Sequence, residues 1–140
     1  MAVDIDAEER LIRDVWDRAV VALTERNWEA YSRFWAHEPY IQVIHPAARD
    51  WTSGWNQVAL KYKTFIESPV KLSATTRRFE VNIAPSGELA WVTIEAAISV
   101  NDVEHLSWQV LVLRKLHNRW EAVLGFDAAL PDGLQDERAS

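Results

Sequence analysis

The 140 residues, 49% hydrophobic and 26% charged, have the composition of one globular domain and leave no room for a second full-sized one. Without cysteine there are no disulfides, thiol nucleophiles or thiolate zinc sites, and a chain of this length hides roughly two thirds of its surface on folding, enough to hold a core without such staples. Fifteen basic against 21 acidic residues leave a net charge of −6 that repels phosphate backbones and anionic lipid, so neither a nucleic-acid nor a membrane partner is expected.

Met1 to Arg10 is acidic, with no basic or apolar export segment, which makes the cytoplasm the expected compartment. Asp6-Ala7-Glu8-Glu9 has the form of a capping box, and Leu11, Ile12, Val15, Trp16, Ala19, Val20 and Leu23 follow at helical spacing. Asn27 caps a short second helix carrying Trp28, Tyr31 and Trp35, which ends before Pro39. Tyr40 to His45 reads as a short strand, with His45 held extended by Pro46. Ser53 and Gly54 open a third helix that buries Trp55, Val58, Tyr62, Phe65 and Ile66 until Ser68-Pro69. From Val70 onward, long β-rich runs are separated by turns at Ser86-Gly87, Asn101-Asp102 and His117-Asn118, a four-stranded antiparallel meander. The fold class is α+β, one domain over 1–140 with a folded core at 6–130 and a loose tail at 131–140.

Two-residue turns fix the register across each hairpin. One sheet face then carries Arg78, Glu95, Trp108 and Asp127 as a cross-strand row, beside Trp91, Thr93, Val110, Val112, Val123 and Gly125. The other face carries Phe79, Val81, Val92, Ile94, Ala96, Ile98, Leu111, Leu113, Trp120, Leu124 and Phe126. Neither face suits water, so helices are expected on one and a second subunit on the other, a homodimer through the apolar face. A bulge in any strand would reverse the parity beyond it.

The order of elements resembles the cone-shaped fold of nuclear transport factor 2 and its relatives. Asn27-Trp28-Glu29-Ala30-Tyr31 with Phe34-Trp35-Ala36, Ser53-Gly54-Trp55-Asn56-Gln57-Val58, Ala90-Trp91-Val92-Thr93 and Val112-Leu113-Arg114-Lys115 leading to Arg119-Trp120 resemble signatures of SnoaL-like domains, covering about residues 8 to 130. The resemblance implies helices packed on a curved meander with an additional short strand. Val43-Ile44-His45-Pro46 is similar to the ketosteroid isomerase segment that bears the catalytic aspartate, which places His45 at a general-base position. The same resemblance implies that Val110, Val123, Gly125 and Asp127 face the pocket. Val110 and Ala19 stand near where those isomerases have oxyanion-hole Asp and Tyr, so steroid isomerisation is not implied. Leu124 to Ala128 lacks the His-x-His-x-Ser ending of many SnoaL-like relatives.

His45 is the sharpest chemical candidate, since a neutral imidazole can take a proton from a carbon acid or water; the plainer alternative is a strand-end histidine bonded to backbone. Asp127 is read as its orienter or as an acid partner, and Glu95 either joins the site or forms a cross-strand ion pair with Arg78. Of eight Trp, Trp16, Trp28, Trp35 and Trp120 suit the core, whereas Trp55, Trp91 and Trp108 are read as pocket walls. Tyr62 supplies a hydroxyl or simply packs. The four His lack metal-ligand spacing, and no nucleotide loop or nucleophile elbow is present, so neither metal nor cofactor is expected. The expected function is a small-molecule pocket for a cyclic, apolar ligand, used for cofactor-independent isomerisation, cyclisation, dehydration or hydrolysis with His45 as base. The alternative is a dimeric ligand-binding or association domain without turnover.

Overall fold

In the computed structural model, which describes residues 3–129, Asp4 starts the first helix, α1 (Ile5–Thr24), by accepting a hydrogen bond from the Ala7 amide at 3.1 Å. Asp6 lies inside the first turn, and Glu8 has another task. Its carboxylate binds the Lys115 ammonium and the Trp120 indole N–H (2.7 Å), pinning the start of α1 to the sheet. The hydrogen bond from Lys115 holds the Glu8 carboxyl below its ordinary pKa. α1 buries Ile12, Trp16, Ala19 and Ala22, whereas Leu11 turns outward. Its C-terminus is a Schellman turn: Arg26 takes a left-handed φ of 58°, its N–H bonds Leu23 O, and the Asn27 N–H bonds Ala22 O. Asn27 then caps α2 (Trp28–Ser32), as expected, by accepting from the Ala30 amide.

Phe34 to Ala36 runs beside the last strand and exchanges backbone hydrogen bonds with Ala122. β1 (Gln42–His45) passes through a 3-10 turn at Pro46–Ala48 into β2 (Asp50–Ser53), a strand with no apolar run to announce it. Gly54, at φ 83°, turns the chain into α3 (Trp55–Glu67), which buries Val58 and Ile66. The rest is the meander: β3 (Leu72–Ile83), β4 (Leu89–Val100), β5 (Val103–Leu116) and β6 (Arg119–Ala129). The sheet has six strands in the order β2-β1-β6-β5-β4-β3, mixed rather than purely antiparallel because β1 pairs parallel with β6. The loose tail expected at 131–140 lies outside the described residues.

Asn101-Asp102 and His117-Asn118 have positive φ at both positions, two-residue turns of the hairpin type, and the β4–β5 register expected from them holds at every pair. The other hairpins each contain a bulge: Arg77 interrupts the β3 ladder and Val123 the β6 ladder. Beyond Val123 the parity of β6 reverses. Gly125 and Asp127 therefore stand opposite Leu111 and Gln109, while Leu124 and Phe126 turn to the face of Val110 and Val112.

The helices cover the face of Val92, Ile94, Ala96, Leu111 and Leu113, so the core lies where the sequence reading placed a second subunit. The opposite, outer face carries Trp91 and Trp108, which are 44% and 49% exposed. Two apolar faces give hydropathy no means to choose between them; the amphipathic helices choose the more continuous one. No helix among the described residues is long and apolar enough to cross a membrane.

Candidate active site

Between α1, α2, α3 and the inner sheet face lies a cavity of about 650 Å³. Trp16, Val20, Leu23, Phe34, Ala96 and Ile98 make most of it apolar. Along one side runs a polar row built by four adjacent strands. In register, Asp50 on β2 faces His45 on β1, and Asp127 on β6 faces Gln109 on β5. The parallel β1–β6 ladder pairs Val43 with Gly125 and Ile44 with Phe126, which brings His45 beside Asp127. Gly125 is required here, since a Cβ would stand 2.8 Å from Trp35 Cη2.

His45 Nδ1 lies 3.7 Å from Asp127 Oδ2, and its Nε2 lies 3.4 Å from the Tyr62 hydroxyl. The other Asp127 oxygen accepts from the Ser107 hydroxyl, the one buried polar residue of the described chain. The Tyr62 ring packs on Tyr31 with centroids 5.1 Å apart, and the Trp35 indole donates to the Tyr31 hydroxyl at 3.2 Å. With the Tyr62 hydroxyl donating to His45 Nε2, the ring's Nδ1–H is turned toward Asp127. That assigned tautomer leaves Nε2 as the acceptor, the form a general base needs.

Desolvation, then the nearby Lys61 ammonium, hold the His45 imidazole below its ordinary pKa against the opposing pull of Asp127 and Asp50, so it is neutral at pH 7. Burial pushes the Tyr31 and Tyr62 phenols well above theirs, and both keep their protons. Lys61 itself binds Asp50, and hydrogen bonds from Lys61 and Thr52 hold that carboxyl low. Among the described residues no group of three or more His, Asp or Glu is gathered to hold a metal ion.

Of the residues singled out from sequence, the structure brings His45, Asp127 and Tyr62 together. It does not bring the expected Trp walls. Trp55 stacks between Trp28 (6.0 Å) and His37 (3.9 Å), away from the cavity. Trp91, Glu95 and Trp108 lie on the outer face, where Glu95 accepts from the Trp108 indole at 3.0 Å. Arg78 is Glu95's register partner, yet its guanidinium takes Glu80 at 2.7 Å. Gly125 and Asp127 face inward as the isomerase resemblance implied; Val110 and Val123 are not among the lining residues. The walls are instead Trp16, Trp35, Tyr31 and Phe34; the first three were expected in core packing, and Phe34 had no place beyond its motif. Ser107 and Gln109 were missed. Their signal was present: both have the strand parity of Leu111 and Leu113 on the apolar face.

The family model of the SnoaL-like domain matches residues 12–124. No curated protein matches the sequence. Among solved structures, a candidate dehydratase of the nuclear transport factor 2-like family from Streptomyces avermitilis is 15% identical with a TM-score of 0.78, over 89% of this chain and 97% of its own. A candidate ketosteroid isomerase from Parabacteroides distasonis is 16% identical (TM-score 0.69) over 86% of each chain. A candidate calcium/calmodulin-dependent protein kinase II association domain from Xanthomonas campestris is 15% identical (TM-score 0.75) over 94% of each. At such identities these likenesses speak for the fold alone. With the family model spanning α1 to β6, the chain belongs to the SnoaL-like domain family.

Proposed function

We propose that the cavity takes up a small, cyclic, mainly apolar molecule and that His45 acts there as general base in a cofactor-independent reaction. The reaction class is isomerisation, cyclisation, dehydration or hydrolysis. The observation that carries this reading is the neutral His45 imidazole, with Asp127 at one nitrogen and Tyr62 at the other, on the wall of an apolar cavity. Asp127 orients the ring and stabilises the imidazolium once a proton arrives; a positioned base of this kind is worth roughly 10²–10⁴-fold in rate. Tyr62 occupies Nε2, so the substrate displaces its hydroxyl or is reached through it. The candidate dehydratase and isomerase of similar fold are in keeping with such chemistry.

The test begins with native mass spectrometry, which reports a retained small molecule and the assembly together. With the substrate class so identified, His45→Gln is expected to lower turnover at least about 100-fold while ligand affinity and fold persist. Full activity of that variant refutes His45 as base.

A second reading, a dimeric ligand-binding or association domain, is favoured by the outer sheet face, where Trp91, Trp108, Val110 and Phe126 are exposed. Here the homodimer forms through this outer face rather than the helix-covered one. His45→Gln then leaves all measurable function intact, whereas substitutions on the outer face abolish assembly.

A further inference from the structure

The polar row ends differently at its two edges. Asp50 is satisfied by Lys61 and Thr52, and Asp127 by Ser107, while His45 bonds Tyr62 and lies 3.7 Å from Asp127. Gln109, at the β5 end, lines the cavity, yet its carboxamide makes no hydrogen bond with any described residue. Its neighbours in register are Asp127 on one side and apolar Ile94 on the other, so it stands at the border between the polar row and the apolar remainder of the inner face. The amide is open to solvent there, and a ligand that excludes water from the cavity must supply its hydrogen-bond partner. The charge of the lining sets a second condition. Asp50 and Asp127 are opposed by Lys61 alone, since His45 is neutral, which leaves the cavity with a net charge of −1. A carboxylate or phosphate ligand is disfavoured by that balance, and Lys61, the one ammonium present, is already taken by Asp50.

We infer that Gln109 is the specificity-determining anchor of the cavity, binding an uncharged carbonyl or hydroxyl oxygen of the ligand while the apolar body of the ligand fills the space toward β3, β4 and α1. This rests on the proposed pocket function and adds to it which oxygen chemistry the ligand bears and where that oxygen sits. Strands lie about 4.8 Å apart and Asp127 separates the two, so an oxygen held by Gln109 places atoms a few bonds away beside His45.

Four bicyclic probes of nearly equal size test this by isothermal titration calorimetry: 1-tetralone, 1-tetralol, tetralin and tetralin-1-carboxylate. The wild-type protein is expected to bind the ketone or the alcohol about fivefold or more tightly than tetralin, and the carboxylate more weakly than either. Gln109→Leu abolishes that preference, and tetralin then binds at least as tightly as it does to the wild type, because no amide is left unpaired beside it. Gln109→Glu, an acceptor only, selects the alcohol over the ketone. If Gln109→Leu binds tetralin but retains the preference for the oxygenated probes, or if the carboxylate binds best, the anchor assignment is overturned and the pocket reading survives. If none of the four binds at millimolar concentration, both fall together.

Discussion

The two hairpins that share β5 are built differently. On the β4 side the ladder runs unbroken from Leu89 opposite Arg114 to Val100 opposite Val103, and every side chain keeps the face that the Asn101-Asp102 turn assigns to it. On the β6 side the ladder starts equally well from His117-Asn118, then accommodates the extra Val123. Everything beyond Val123 changes face. The unbroken hairpin makes the wall and the broken one makes the chemistry, because the reversal turns Gly125 inward to receive Trp35 and Asp127 inward to meet His45. A regular strand counted from the same turn would carry Asp127 beside Trp108 on the outer face.

Single-residue deletions put that contrast to its strongest test. Removing Thr93 from β4 has no bulge to absorb it, so one half of the strand must present Ala90 and Val92, or Ile94 and Ala96, to the outside. Several fully buried apolar side chains at about 1.5–3 kcal/mol each exceed what a domain of marginal stability tolerates, and the variant is expected to be unfolded. Removing Val123 leaves Leu124 to Ala129 opposite their present partners and deletes only the local bend. That variant is expected to unfold cooperatively, with its thermal midpoint lowered by several degrees. Circular dichroism melts of the two decide the matter; equal damage from both would mean the bulge holds more than register.

The same contrast explains what was legible in the sequence. The helix cap at Asn27, the glycine entry to α3 and both positive-φ turns are local signals, read within a few residues, and each stands where the sequence placed it. Val123 carries no such mark: it is one more β-branched residue in a strand, and its neighbours give no sign that it is the one left unpaired. The helix starts at Asp4, two residues before the Asp6 cap read from the sequence, and Glu8 is drawn instead to Lys115 and Trp120, far along the chain. For the site, Pro46 and the local motif pointed to His45, whereas Ser107, Gln109, Asp50 and Lys61 matter only once four strands and a helix are assembled around one histidine.

Charge at the reversed end of β6 allows a smaller and more specific test. Asp127 raises the His45 pKa, while burial and Lys61 lower it, so Asp127→Asn is expected to lower it further and Lys61→Met to raise it, each followed by NMR titration of the imidazole. The linked stability has a definite sign. A histidine whose folded pKa lies below the unfolded value of about 6.5 contributes stability that is fully present above that value and is lost as pH falls toward and through the folded pKa. Asp127→Asn widens that window, and its chemical-denaturation midpoint is expected to fall more steeply with acid than that of the wild type. An imidazole unmoved by either substitution would mean that the charges around it are screened by water.

The smallest expected effect on the fold comes from the outer face. Trp108 has half its surface in solvent and gives its indole N–H to Glu95, whereas Leu111, on the same strand but facing inward, is 5% exposed. Truncating Leu111 to Ala is expected to cost about 2–5 kcal/mol, as buried leucines do. Trp108→Ala, though it removes many more atoms, is expected to cost the monomer less, about 1–3 kcal/mol, because half of what it removes already faces water. Probe binding in the cavity should not change, since the sheet stands between the two. A loss of assembly on Trp108→Ala would place Trp108 at a contact between chains. Sedimentation across a concentration series separates the cases: a shift from dimer to monomer assigns the outer face to self-association. An unchanged assembly means that Trp108 takes no part in self-association.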